Sequence, residues 1–256
     1  MLRLYTWAFA LFFSTTVLSQ PLSVPDCPVL RDTDLAKVRV SPDLFNKFVT
    51  IQSTITAPEI EEQYRALNRT VQHLNQKLKK SRSTEQFFKH FFYYVHRNYL
   101  KEYQQYATLD NLLKSGKYDC VSGTALYALL LDALHINFSV REMTYHMYLE
   151  IPLDGSLAII ESTDPLGGFI STESAVAERL AQYQAEEADP AIYSQPIQAK
   201  VGMDELLGLS YFNTAVFYYN QQQFTAARQC LRQAIHWYPA DRMYAFRAIV
   251  EAVAAR

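Results

Sequence analysis

The sequence predicts an α+β protein, and three observations predict it. Apolar residues recur at steps of three and four over 59–80, one face of a helix; three short period-two segments cluster over 136–162; helical spacing then returns to the end of the chain. With 256 residues, 49% of them hydrophobic, there is material for one sizeable core plus a small appendage. Lys plus Arg number 24 against 26 Asp plus Glu, with no long run of either sign, so neither a nucleic-acid footprint nor an acidic tail is indicated.

The elements follow in order. Met1-Leu2-Arg3 is a short positive start, residues 4–18 are mostly apolar, and Val17-Leu18-Ser19 supplies small or apolar residues for cleavage. Residues 1–19 are therefore expected to be a secretory signal, making the mature chain secreted or periplasmic, with no membrane span after cleavage. Residues 20–56 carry four prolines and little periodicity, which predicts an irregular segment. In "EIEEQYRALNRTVQHLNQKLKK" (59–80), Ile60, Tyr64, Leu67, Val71, Leu74 and Leu78 share one helix face. Ser83 and Gln86 have capping-box spacing, and the aromatic run after them predicts a buried helix.

"KYDCVSGTALYALLLDAL" (117–134) reads as a tight entry into an apolar helix with Cys120 at its start. The strands expected next are 136–143, 145–151 and 156–162, and Asp154-Gly155 marks a hairpin between the last two. That hairpin sets His146, at the start of one strand, level with Asp164, just past the end of the other. A helix follows over 171–187, then a proline-bearing linker, so 173–207 is expected to be helix and linker.

Export makes three cysteines notable, because oxidising compartments favour paired thiols. Cys27 and Cys230 either pair or sit buried, and Cys120 is left over. A thiol of pKa about 8.5 is mostly protonated at neutral pH; a helix start and a paired imidazolium both favour the thiolate. Cys120, His146 and Asp164 thus form a candidate set of nucleophile, base and orienter, with the amides of Cys120 or Val121 facing an oxyanion. The competing reading is a buried thiol, a core histidine and a turn-capping aspartate. His73, His90, His96, His135 and His236 lack such company, no carboxylate and histidine spacing suggests zinc, and Gly167-Gly168 is too short to cradle phosphate. No cofactor and no metal is expected.

"DCVSGTALYALLLDAL", "HMYLEI" and "DGSLAIIESTDP" resemble the core of the transglutaminase-like superfamily: a Cys opening a helix, a His opening a strand, an Asp ending the next strand. The resemblance spans roughly 99–169 and implies a papain-like core, helices packed on an antiparallel sheet, over 57–172. It implies acyl transfer, or amide or peptide hydrolysis, through a Cys120 thioester, with His146 as base, Asp164 as orienter and a protein or peptide as substrate. The oxyanion side chain that some relatives supply upstream has no clear counterpart; Gln104 and Gln105 are candidates. Within 208–256, Tyr211, Ala215, Tyr218, Ala227, Leu231, Ala234 and Pro239 resemble the small, aromatic and proline positions of a tetratricopeptide repeat. One repeat should lean on the catalytic domain or on a protein partner. The alternative to an enzyme is a non-catalytic scaffold that binds its partner through this TPR-like tail.

Overall fold

The computed structural model describes residues 38–52, 55–144, 146–153, 155–187 and 197–254. The expected leader, Cys27 with its suggested pairing, and both prolines of the linker lie outside them. Helix α1 (Pro42–Val49) lies inside the stretch expected to be irregular. Pro42 sits at the first helical position, where a missing N–H costs nothing, and Ser41 Oγ accepts from the amide of Leu44 at 3.4 Å. In α2 (Ala57–Lys80) the amide of Thr56 donates to Glu59 Oε2 at 2.7 Å, and Leu67, Val71 and Leu74 are buried at the predicted spacing. Helix α3 (Thr84–Asn98) starts where predicted, with Ser83 Oγ accepting from the Gln86 amide at 3.2 Å. The Gln86 side chain reaches back past Ser83 to accept from the Arg82 amide at 3.0 Å. Phe87, Phe88, Phe91 and Phe92 are all buried, as the aromatic run requires.

A small parallel ribbon then leads into the central helix. Strand β1 (Glu102–Tyr103) pairs with β2 (Lys117–Tyr118), α4 (Leu109–Ser115) lies between them, and α5 (Cys120–Ala133) follows one residue after β2. Residues 121–131 of α5 are buried without a break, which explains why its sequence is apolar all round. Tyr127 is fully buried, and its hydroxyl donates to the carbonyl of Phe92 at 3.0 Å, tying α5 to α3.

The three expected strands form: β3 (Ser139–Met143), β4 (Met147–Leu153) and β5 (Ser156–Ile160). With β6 (Phe169–Ile170) and β7 (Gln198–Val201) they build a five-stranded antiparallel sheet in the order β6-β5-β4-β3-β7. The fold is therefore α+β. Leu153 pairs with Ser156 across the expected turn, where Gly155 has a φ of +86°. Period two sorts the sheet's faces. Met147, Leu149, Ile151, Ala158 and Ile160 join the main core with α5, whereas Tyr148 and Ile159 pack with Val176 and Tyr183 of α6 (Glu173–Glu187).

The C-terminal helices are fused to this core. Strand β7 extends the sheet from within the expected linker, and the expected boundary at 208 falls inside α7 (Met203–Asn220). Leu206, Leu207 and Leu209 of α7 belong to the main core. A tight turn, with Gln222 at φ 58°, leads to α8 (Phe224–Trp237); a Cβ on Gly208 would come within 2.6 Å of Tyr238 Cβ, so α7 and the end of α8 are in close contact. Ala215, Ala227, Cys230 and Leu231 share a third apolar cluster with Val250 of α9 (Asp241–Ala254). Glu142 of β3, only 4% exposed, accepts from Tyr238 Oη at 3.0 Å and pairs with Arg242. Among the described residues no helix is long and apolar enough to cross a membrane.

Candidate active site

The entry to α5 fixes Cys120. Asp119 is its N-cap, with extended backbone and 1% exposure. Asp119 Oδ1 accepts from the Ser122 amide at 2.8 Å and from Ser122 Oγ at 2.9 Å, while Ser122 Oγ accepts from the Asp119 amide at 2.9 Å. The other oxygen, Oδ2, accepts from Asn213 Nδ2 of α7 at 2.8 Å. The Tyr106 amide adds a further donor; burial nonetheless holds the Asp119 carboxyl above its usual range.

Cys120 is the first residue of α5, half-buried, and a free thiol. Burial and then the neighbouring Asp119 carboxylate push it up to about 12, with Glu161 adding to the shift; the amides of Val121 and of Cys120 itself, directed at the sulfur, pull the other way. Burial, with the Asp119 carboxylate second, thus outweighs the helix start, and the resting group is a thiol. Cys230 is likewise a free, buried thiol, pushed up to about 11 by burial.

His146 immediately precedes β4, and its carbonyl accepts from the Met143 amide at 2.9 Å. The β4–β5 pairing runs from Leu149 opposite Ile160 to Leu153 opposite Ser156, so His146 and Asp164 both lie beyond the paired residues, at the same open end of the hairpin. The sequence reading missed Glu161, whose Oε1 lies 3.9 Å from His146 Nδ1. Glu161 is 6% exposed and accepts from Arg179 Nη1 at 2.7 Å, from Thr163 Oγ1 at 3.1 Å and from the Tyr183 hydroxyl. The Tyr183 ring lies 5.2 Å from that of His146. Asp164 Oδ1 accepts from the amides of Gly167 at 2.8 Å and Leu166 at 3.2 Å, and its Oδ2 lies 3.3 Å from Arg179 Nη2. Desolvation works upward on its carboxyl, but the Gly167 amide, Arg179 and the Leu166 amide together hold it below the usual range. Arg179 therefore bridges the two carboxylates at this edge of the sheet.

Close backbone approach joins the two halves. A Cβ on Gly123 would come within 2.7 Å of Ser162 Oγ and 2.8 Å of Ser162 Cβ, so the first turn of α5 rests on the residue after Glu161. Gly168 is equally constrained, since a Cβ there would meet the carbonyls of Glu161 at 2.3 Å and Asp164 at 2.4 Å. Glu161 is the neighbour that Cys120 and His146 share: its charge acts on the sulfur, and its oxygen lies beside the imidazole. Gln104 and Gln105 both have exposed side chains; the Gln104 amide donates to the Tyr118 carbonyl at 2.7 Å, which keeps this segment beside the helix entry. Tyr103, next to them, is within electrostatic reach of Cys120. His96, which sequence reasoning left without company, lies behind the site at 7% exposure, and burial drops its imidazole to about 4 against the opposing charge of Asp164. Among the described residues no cluster of three or more His, Cys, Asp or Glu could hold a metal ion.

Compared with family models, with curated proteins and with solved structures, the chain matches none.

Proposed function

We propose that this protein is a cysteine-dependent acyl-transfer enzyme with a transglutaminase-like core, secreted or periplasmic once residues 1–19 are removed, acting on an amide of a protein or peptide. One observation carries the reading. Cys120 sits in the first turn of a buried helix, and that turn rests, Gly123 against Ser162, beside the sheet edge that bears His146 and Glu161.

Because the resting thiol lies near 12, no thiolate waits in the site, and the proton must leave during attack. His146 takes it as general base. Glu161, braced by Arg179 and Tyr183, lies 3.9 Å from Nδ1, where its charge stabilises the imidazolium that forms. Sulfur attack on the acyl carbon forms a C–S bond and places the carbonyl's charge on an oxyanion facing the helix-start amides. Collapse breaks the C–N bond, His146 returns the proton to the departing nitrogen, and a thioester remains. Water or a primary amine then attacks the thioester, His146 accepting the incoming proton and the sulfur leaving, to give acid or new amide. Asp164 supports this set through Arg179, which it shares with Glu161.

A second reading has its own observation. A thiol pushed up to about 12 by burial and by the Asp119 charge also suits a non-catalytic scaffold, with the TPR-like α7–α8 hairpin binding a protein partner. Incubating the chain with glutamine-containing peptides and a biotinylated primary amine, while following ammonia release, separates the two. The enzyme reading expects product that is lost in Cys120→Ala and His146→Ala, and a larger loss in Glu161→Gln than in Asp164→Asn. Equal traces of product from all variants would favour the scaffold.

A further inference from the structure

We propose that Asn213 is a positioning residue of the Cys120 site, its side-chain amide clamping the Asp119 carboxylate, so that a helix of the C-terminal region sets the protonation of the nucleophile. This rests on Cys120 being the nucleophile of the proposed reaction. Asp119 and Asn213 are 94 positions apart, yet Asn213 Nδ2 donates to Asp119 Oδ2 at 2.8 Å, and the carboxylate it reaches is 1% exposed. Ser122 occupies Oδ1 through both its amide and its hydroxyl. The bond from α7 thus brings a donor to Oδ2, the oxygen Ser122 does not bond, on the residue next to the sulfur.

The consequence is electrostatic. Hydrogen bonds to a buried carboxylate favour its charged form. A charged Asp119 beside Cys120 opposes a second charge on the sulfur, which makes proton removal by His146 a required part of attack. The other titratable groups facing this helix start are Tyr103, Tyr106 and Tyr118 on the β1–β2 side, and Glu161, with His146 beside it, on the sheet edge; α7 contributes the neutral Asn213 amide. Without the Asn213 donor, Asp119 holds a proton more readily, its charge on Cys120 falls, and the thiol becomes more acidic.

The test is iodoacetamide labelling of the full chain between about pH 6 and about pH 10, with Cys120 and Cys230 quantified separately by peptide mass spectrometry. Asp119→Asn keeps a competent N-cap and removes the charge. It should raise the Cys120 rate at fixed pH roughly three- to tenfold, the lost repulsion increasing the thiolate fraction while the more acidic thiol is a weaker nucleophile. Asn213→Leu should act in the same direction by a smaller factor, and should add nothing in the Asp119→Asn background. Asn213→Ala serves if the leucine variant does not fold. An unchanged Cys120 profile, a full additive effect on top of Asp119→Asn, or equal acceleration of Cys120 and Cys230 with a lowered melting temperature would each overturn the proposal. Labelling reads the thiol without turnover, so failure to find an acyl-enzyme would remove the acyl-transfer reading and leave this result standing.

Discussion

Gly123→Ala tests whether the first turn of α5 is seated on the sheet as tightly as the site requires. At an open helix position the change stabilises by roughly 0.5–1 kcal/mol, because alanine restricts the unfolded chain and favours the helix. Here the added methyl would stand 2.7 Å from Ser162 Oγ and 2.8 Å from Ser162 Cβ, and Ser162 is fully buried, so one element must move. Overpacking of this kind costs about 1–3 kcal/mol, so after the helix gain the net loss reaches about 2.5 kcal/mol and centres on about 1 kcal/mol. For a chain of this size the central value is a melting temperature lower by roughly 2–4 °C. Thermal and urea unfolding followed by circular dichroism would read it. Ser162→Gly removes both clashing atoms, so the double variant should lose less than the sum of the two singles. A Gly123→Ala protein that melts higher than wild type, as at an open helix position, would show that α5 does not rest on the turn after β5.

Two further perturbations probe the surroundings. His96 is held neutral, its imidazole at about 4 against about 6.5 unfolded, so its stabilising effect is complete above pH 6.5 and is lost as pH falls from there to about 4, a loss of about 3 kcal/mol; in His96→Phe, urea midpoints should be flat over that window, and an unchanged slope would contradict the assignment. Arg242→Ala should cost about 2–3 kcal/mol, below the figure for fully buried pairs because Arg242 keeps some solvent contact, by leaving Glu142 buried with Tyr238 as its remaining partner; adding Glu142→Gln should recover most of it, and a single-variant cost under about 0.5 kcal/mol would contradict the pairing.

Much of the scaffold was legible in the sequence. The run over 117–134 is apolar because α5 is surrounded, and the Asp154-Gly155 signal marked the β4–β5 hairpin, at whose open end His146 lies. Other features depended on contacts between distant segments. Glu161 reads, one position past β5, like any polar residue entering a turn; only Arg179 and Tyr183 on α6 make it a buried partner of His146. Strand β7 has four residues and little pattern of its own, so its place beside β3 is a tertiary effect. Helix α1 was hidden by prolines that break periodicity, although Pro42 at its first position favours the helix. The repeat-like spacing puts the tail's start at 208 and predicts that it leans on a neighbour; α7 begins earlier, at Met203, and Leu206, Leu207 and Asn213 tie it to the core and to Asp119.

The central claim is that Cys120 attacks an acyl carbon with His146 taking its proton. The most direct measurement exposes the full chain briefly to an activated acyl ester and locates the adduct by intact mass and peptide mapping in wild type, Cys120→Ser and His146→Ala. The account predicts one acyl group on Cys120, discharged on adding a primary amine, absent in Cys120→Ser, and formed about 10²–10⁴-fold more slowly in His146→Ala. Acylation of Cys120 no faster than that of Cys230, at a rate indifferent to His146→Ala, would contradict it.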